Sequence, residues 1–218
     1  MGIIPSVHKG IYHDMFYTIN DGHGLPHDPF KSLIVPRPIG WVTSMSLETG
    51  VNLAPFSFFN AVSSEPPMVL LGINGSHVEG GVKDTLSNIE ETKDFVVNIA
   101  TWELRYHMNE TSASLPRNVD EMRTSKLQAK PSRLVKSPCV KESPVNLECV
   151  LHKILDLPSS SKFSRNVCVI GQVVGIHISE NLLSEGIIDM DKFRPIARLG
   201  YSDYTVVDQT FSMERPDP

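Results

Sequence analysis

The spacing of apolar and polar positions changes character several times along these 218 residues. Residues 1–30 show little periodicity, are rich in Gly, His and Asp, and predict an arm or loop wrapped on the rest. A short strand is predicted at residues 32–35, stopped by Pro36 and Pro38. Residues 39–46 have strand composition, Thr49 and Gly50 supply turn chemistry, and residues 51–55 start the return. Residues 57–63 continue extended. Residues 68–73, MVLLGI, form an unbroken apolar run of strand length, the kind covered on both faces.

The polar loop GINGSHVEGGVKDT, with four glycines, then feeds a helix predicted over residues 85–93. Leu86 and Ile89 lie three apart there, and Asp84 or Thr85 is the expected N-cap. A β-branched strand follows at 95–100 and a short helix at 102–113. Residues 114–145 carry four prolines and read as loop with one helical turn at 119–123. Two long strands are expected at 146–155 and 167–178, and a tail segment at 193–207. Short, turn-punctuated strands around one prominent helix predict a mainly β protein, a barrel or closed sheet. One domain over 31–210 is expected, between the arm at 1–30 and a tail at 211–218.

Composition narrows the function classes. A net charge of −5 with a pI near 5.9 argues against a general nucleic-acid binder. No apolar run approaches the ~20 residues that cross a bilayer, and the first residues lack the layout of a signal peptide. Cys139, Cys149 and Cys168 form no CxxC pair and leave at least one thiol unpaired, which points to a reduced, cytoplasmic setting.

The candidate chemistry is concentrated between residues 36 and 85. A flavin ring needs apolar contact on its faces and donors along one edge. Its ribityl chain needs small hydroxyls, and its phosphate needs cations or free helix-start amides. Thr43 and Ser44 are adjacent on a strand and so point to opposite faces. Ser57, Phe58, Phe59 and Asn60 give hydroxyl, two rings and an amide in succession. Lys83, Asp84 and Thr85 stand where a helix start favours an anion, and Arg37 is a cation held between prolines. Each piece has a plainer reading: capping for 83–85, half-buried packing for 57–60, an exposed turn for Arg37. Their order along the chain favours FMN.

Other constellations carry less. His13, His23 and His27, with Asp14, Asp21 and Asp28, match no regular metal-ligand spacing, and no metal is expected. Nothing brings His107 together with Cys149 or Cys168, which read as packing residues in apolar strands. Residues 72–81 form neither a P-loop nor a dinucleotide fingerprint, since no βαβ alternation follows.

Taken together and in order, PRPIGWVTS, NLAPFSFFNAVSSEPPMV, KDTLSNI, DFVVNI, ESPVNLEC and ARLGYSDY resemble the flavin reductase-like family of FMN-binding split barrels, and within it the flavoredoxin-like proteins. The resemblance spans roughly residues 32–207. It implies a closed Greek-key barrel, a homodimer and one FMN per subunit near the dimer interface. It places Arg37, Trp41, Thr43 and Ser44 beside the ribityl chain and ring, and Ser57, Phe58, Phe59 and Asn60 along the isoalloxazine. Lys83, Asp84 and Thr85 would hold the phosphate, and Arg198 and Tyr201 would close over the site. His177, ending a predicted strand, is a further candidate with a structural role as the alternative. The family often has two adjacent glycines where this chain has Gly200 and Tyr201, so the local backbone is expected to differ there.

The expected activity is hydride transfer from NADH or NADPH to FMN, with reduced flavin passed to an oxygenase or redox-protein partner. No protein acid, base or nucleophile is required. The alternative expectation is an FMN-holding electron carrier with little pyridine-nucleotide oxidation of its own.

Overall fold

The computed structural model describes residues 14–216. Among the described residues the first regular element is helical: α1 (Phe30–Leu33) replaces the strand expected at 32–35. Pro29 precedes it with helical angles (φ −79°, ψ −17°), and the Arg37 guanidinium binds the carbonyls of Lys31 and Ile34, holding the turn closed. After β1 (Arg37–Pro38) the chain forms a hairpin from β2 (Gly40–Ser46) and β3 (Gly50–Phe56). Gly50 closes it at φ +90°, a conformation glycine adopts without steric cost. The extension expected through 57–63 breaks at Ser57 and Phe58, and β4 (Phe59–Ser64) pairs with β5 (Pro67–Ile73) instead of continuing β3.

Next come α2 (Asp84–Thr92) and β6 (Asp94–Ile99). The helix at 102–113 is shorter than expected, α3 (Arg105–Glu110), and the turn expected at 119–123 is α4 (Glu121–Thr124). Asp120 caps α4, its side chain accepting from the Arg123 amide at 3.0 Å. Two short pieces, β7 (Ala129–Lys130) and β8 (Cys139–Val140), pair within the region expected to be loop. The long hairpin of β9 (Val145–Leu157) and β10 (Asn166–Ile178) follows. The chain ends with β11 (Leu183–Ser184), β12 (Ile187–Ile188), α5 (Met190–Phe193), β13 (Ile196–Arg198) and β14 (Tyr204–Val206).

Seven strands form one antiparallel sheet in the order β3-β2-β6-β9-β10-β5-β4. Its two outermost strands, β3 and β4, are joined by only Ser57 and Phe58. So short a link forces the sheet to roll until its edges meet. Phe59 accordingly lies over Gly40 of β2, where an added Cβ would stand 2.8 Å from the ring, and Phe58 lies over Gly72 of β5. Among the described residues no ladder joins β3 to β4, so the closed barrel expected from the sequence is a rolled sheet with a seam.

Two apolar clusters cover the two sides of β2. Inside the roll, Val42, Phe56, Leu71, Phe95 and Val169 pack with Leu86 and Ile89 of α2. Outside it, Trp41 and Leu53 pack with Leu104, Met108, Met122 and Val140. This double coverage explains why GWVTSMS lacks a clean alternation. A small sheet, β1-β13-β14, pairs Arg37 with Arg198 and brings the tail back beside the β2–β3 hairpin. Among the described residues no helix is long and apolar enough to cross a membrane.

Candidate functional site

Two cavities meet beside the hairpin and share Pro55 and Ser112 in their walls. The larger, about 1000 Å³, is lined by His27, Lys31, Arg37, Ser57, Arg198 and Tyr201 among others. The smaller, about 160 Å³, is lined by Asn52, Lys83, Asp84, Thr85 and Glu121 among others. Together they form a groove running from the tail segment to the start of α2.

The α2 end is cationic. Lys83, not Asp84 or Thr85, is the N-cap, with an extended backbone (φ −64°, ψ 149°) and no side-chain cap bond. Its ammonium makes no hydrogen bond or ion pair with another described residue. Burial, reinforced by the nearby Lys31 charge, lowers its pKa. A half-buried cation facing a second cation, at the start of a nine-residue helix, is an arrangement that an anion relieves.

Asp84 does not serve the helix amides or an anion. Its carboxylate pairs with Arg117 and with His77 at 3.4 Å, tying the glycine-rich loop to the segment after α3. Thr85 donates its hydroxyl proton to Asn52 Oδ1 at 2.7 Å. The Asn52 amide in turn donates to Glu121 at 3.2 Å, whose other oxygen accepts from the Leu53 amide at 3.1 Å. Burial pushes the Glu121 carboxyl up, against the pull of those donors.

At the other end Arg37 acts as a staple. Its guanidinium donates to the carbonyls of Lys31, Ile34 (2.8 Å) and Leu199 (2.7 Å), and more weakly to Ser57 Oγ at 3.4 Å. It therefore joins α1, the β3–β4 link and the tail around the large cavity. Burial and the neighbouring Arg198 charge lower its pKa. Arg198 lies over the Tyr204 ring, 4.4 Å from its centroid. Tyr201 adopts a left-handed backbone (φ 52°) where a glycine would be unstrained, and His27 meets its ring edge-on at 5.6 Å. An added Cβ on Gly200 would stand 1.9 Å from Ser32 Oγ, so the first glycine is a close approach of tail to α1.

Several sequence candidates line neither cavity. Trp41 is fully buried and donates its indole N–H to Thr111 at 2.9 Å. Thr43 donates to the Pro138 carbonyl at 2.6 Å, and Ser44 accepts from Asn88 at 3.1 Å. Phe58 and Phe59 pack over glycines 72 and 40, and Asn60 accepts from the next amide. Of residues 57–60, Ser57 alone reaches the groove.

His177 lies elsewhere, 2.5 Å from Glu148. Burial pushes the Glu148 carboxyl up, but the Arg133 and Leu134 amides and His177 bring it below its usual range. His107 is bonded to the Ser125 carbonyl, while Cys149 sits in the inner core with its thiol pushed by burial up to about 12. The two form no dyad. His13 lies outside the described residues, and His23 accepts from the Leu25 amide. Among the described residues the potential metal ligands that do cluster are Cys139, Glu148 and His177, within 4.8 Å.

Sequence reading missed Lys31, Asn52, Ser112 and Glu121. Lys31 alone had a local signal, a cation one turn before the Pro-Arg-Pro segment. Glu121 stands 69 residues from Asn52, so only the fold unites them.

A rolled antiparallel sheet beside a groove that turns cationic at a helix start has the architecture of a split barrel. Residues 32–200 match the flavin reductase like domain, and the chain belongs to that family. It is similar in structure to nitrilotriacetate monooxygenase component B from Bacillus cereus, with 33% identity, TM-score 0.81, and 92% of this chain and 100% of that chain covered. It is also similar to the 2-nitrobenzoate 2-nitroreductase NbaA of Pseudomonas fluorescens (28% identity, TM-score 0.74, 86% and 88% covered). The flavoredoxin of Desulfovibrio vulgaris (Miyazaki F) shares the fold, at 19% identity, TM-score 0.70, and 83% and 91% covered.

Proposed function

We propose that this chain binds FMN in the groove and reduces it with NADH or NADPH. The observation that carries this reading is the half-buried Lys83 ammonium, without a described partner and beside Lys31, at the start of α2. Lys83 and the first free amides of α2 would hold the phosphate, with Thr85 placed by Asn52 alongside. Ser57 and Pro55 would flank the path of the sugar chain, and the larger cavity takes the ring. When bound, FMN supplies a hydride acceptor and a carrier for the electrons.

The protein's own residues position and shield. Arg37 fixes the three segments that wall the large cavity, and Tyr201 and Arg198 line it. Proton chemistry is not asked of the chain: the His77–Asp84 contact in the groove has its carboxylate taken up by Arg117.

Family membership and the likeness to a monooxygenase component support delivery of reduced flavin to an oxygenase partner. The three unpaired cysteines fit a reducing, cytoplasmic compartment. An apolar hollow of about 330 Å³ between Pro38, Leu147, Ile178 and Phe193 supports a homodimer.

The test is a visible spectrum of the purified protein, followed by anaerobic mixing with NADH or NADPH. Rapid bleaching of bound FMN is expected. Bleaching only by dithionite or a protein donor would turn the reading to an electron carrier, and failure to bind added FMN would end it.

A further inference from the structure

A third cavity, of about 490 Å³, opens beside the large one and shares Met108, Asn109, Ser202 and Tyr204 with it. Three aromatic rings face it, from Trp102, Tyr106 and Tyr204. Trp102 and Tyr106 are 39% and 68% exposed, far more than a packing role requires of such large rings. Between them stands Arg105, its guanidinium carbon 3.8 Å from the Trp102 ring centroid and 4.3 Å from that of Tyr106. One Arg105 nitrogen donates to the Trp102 carbonyl. Its other donors have no partner among the described residues, and no described carboxylate pairs with it. The neighbouring Arg194 differs, since Glu103 takes its charge at 3.4 Å.

We propose that this aromatic hollow binds the adenosine end of the electron donor, and that Arg105 reads a 2′-phosphate there, making NADPH the preferred donor. The inference rests on the hydride-transfer reading above and deepens it. Exposed rings supply faces for a purine, and an uncompensated planar guanidinium supplies two parallel donors for a phosphate monoester. Stacking between two rings holds the guanidinium in one orientation, which lowers the entropy cost of that contact. The shared wall matters equally. A ligand whose nicotinamide lies in the large cavity can pass Tyr204 into this hollow without leaving the surface. NADH offers the same purine but only a hydroxyl to Arg105.

The test has one arm without turnover. Adenosine 2′,5′-bisphosphate is titrated against tryptophan emission, because Trp102 is exposed while Trp41 is buried. It should quench with an affinity about tenfold or more above that of adenosine 5′-monophosphate, and Arg105→Gln should erase the difference. Arg105→Lys, keeping the charge but not the fork, should retain part of it. In steady-state assays the ratio of kcat/KM for NADPH over NADH should fall about tenfold or more in Arg105→Gln, through KM.

Equal binding of the two compounds, no quenching by either, or an unchanged ratio in the variant would overturn the proposal. Discrimination in the binding arm without oxidation of either nucleotide would leave the subsite standing and sink the hydride reading. Bleaching by both nucleotides with no effect of Arg105 would do the reverse.

Discussion

At the scale of single residues, the groove is governed by which charges are spent and which are spare. The Asp84 charge is spent on Arg117, while Arg37 keeps its charge but commits most of its N–H donors to three carbonyls and Ser57. Lys83 is spare. Lys83→Ala should weaken FMN binding about ten- to a hundredfold, the cost of one charge-assisted contact at about 1.5–3 kcal/mol. Thermal stability should hold, because that ammonium bonds nothing else described; an unchanged FMN titration would remove the phosphate assignment. Glu121 works in the opposite sense. Its pKa is raised in the fold, so it is proton-bearing at low pH and becomes an anion beside the proposed phosphate site as pH climbs through the folded value. FMN affinity should therefore fall as pH rises, beyond the trend set by the phosphate's own titration. Glu121→Gln should flatten that extra component and strengthen binding about fivefold at neutral pH, roughly 1 kcal/mol. Matching pH profiles of FMN affinity in the two proteins would refute this. Lys83 and Thr85 were legible in the sequence because a cation and a hydroxyl at a helix start form a local pattern. Glu121 was not, because its place depends on α4 docking against β3.

At the scale of elements, the strands were readable wherever covering on one or both faces leaves an apolar trace, as in MVLLGI and VCVIGQVVGIHI. Misreadings fell where side chains bind backbone at a distance. The residues after Pro29 became α1 because Arg37 holds their carbonyls, a contact no propensity scale contains. Residues 129–130 and 139–140 formed β7 and β8 in a proline-rich stretch, because Glu148 and Asp94 bind its amides. Glu148 of β9 accepts from the Arg133 and Leu134 amides at 2.8 and 2.6 Å, and Asp94 of β6 from those of Lys136 and Ser137 at 3.1 and 3.0 Å. Two carboxylates thus shape a loop that would otherwise have to fold itself. Glu148→Ala should leave two amides and the His177 ring without their acceptor, costing about 3 kcal/mol. For a chain of this length that is a fall in Tm of about 6–12 °C. The sign with pH follows from the depressed carboxyl: its stabilisation is present above the unfolded pKa and is lost as pH falls through the folded one. The gap in Tm between wild type and variant should accordingly narrow in acid. A gap that stays constant down to pH 3 would show that Glu148 contributes by shape rather than by charge.

At the scale of the whole molecule, the proposed site and the proposed self-association meet on two small strands. The apolar hollow by Ile178 and Phe193 is also walled by Pro38, Ile39 and Ile196, which sit on or next to β1 and β13. Ile39 also lines the large cavity, and Ile196 the aromatic one. Arg37 and Arg198 are register partners on those same two strands. A second copy covering the hollow would bury exposed Ile178, gaining about 25 cal/mol for each Å² of apolar surface removed from water. It would also stiffen the strands that carry the groove's wall. Coupling of this kind is reciprocal: whatever dimerisation adds to FMN affinity, FMN must add to dimerisation. Sedimentation velocity should thus give a mass twice 24.2 kDa, with the association strengthened by FMN. Ile178→Asp, placing a charge in the hollow far from the phosphate end, should sediment as a monomer and bind FMN more weakly. A wild-type monomer at tens of micromolar with full FMN affinity would break the link, leaving the groove complete within a single chain.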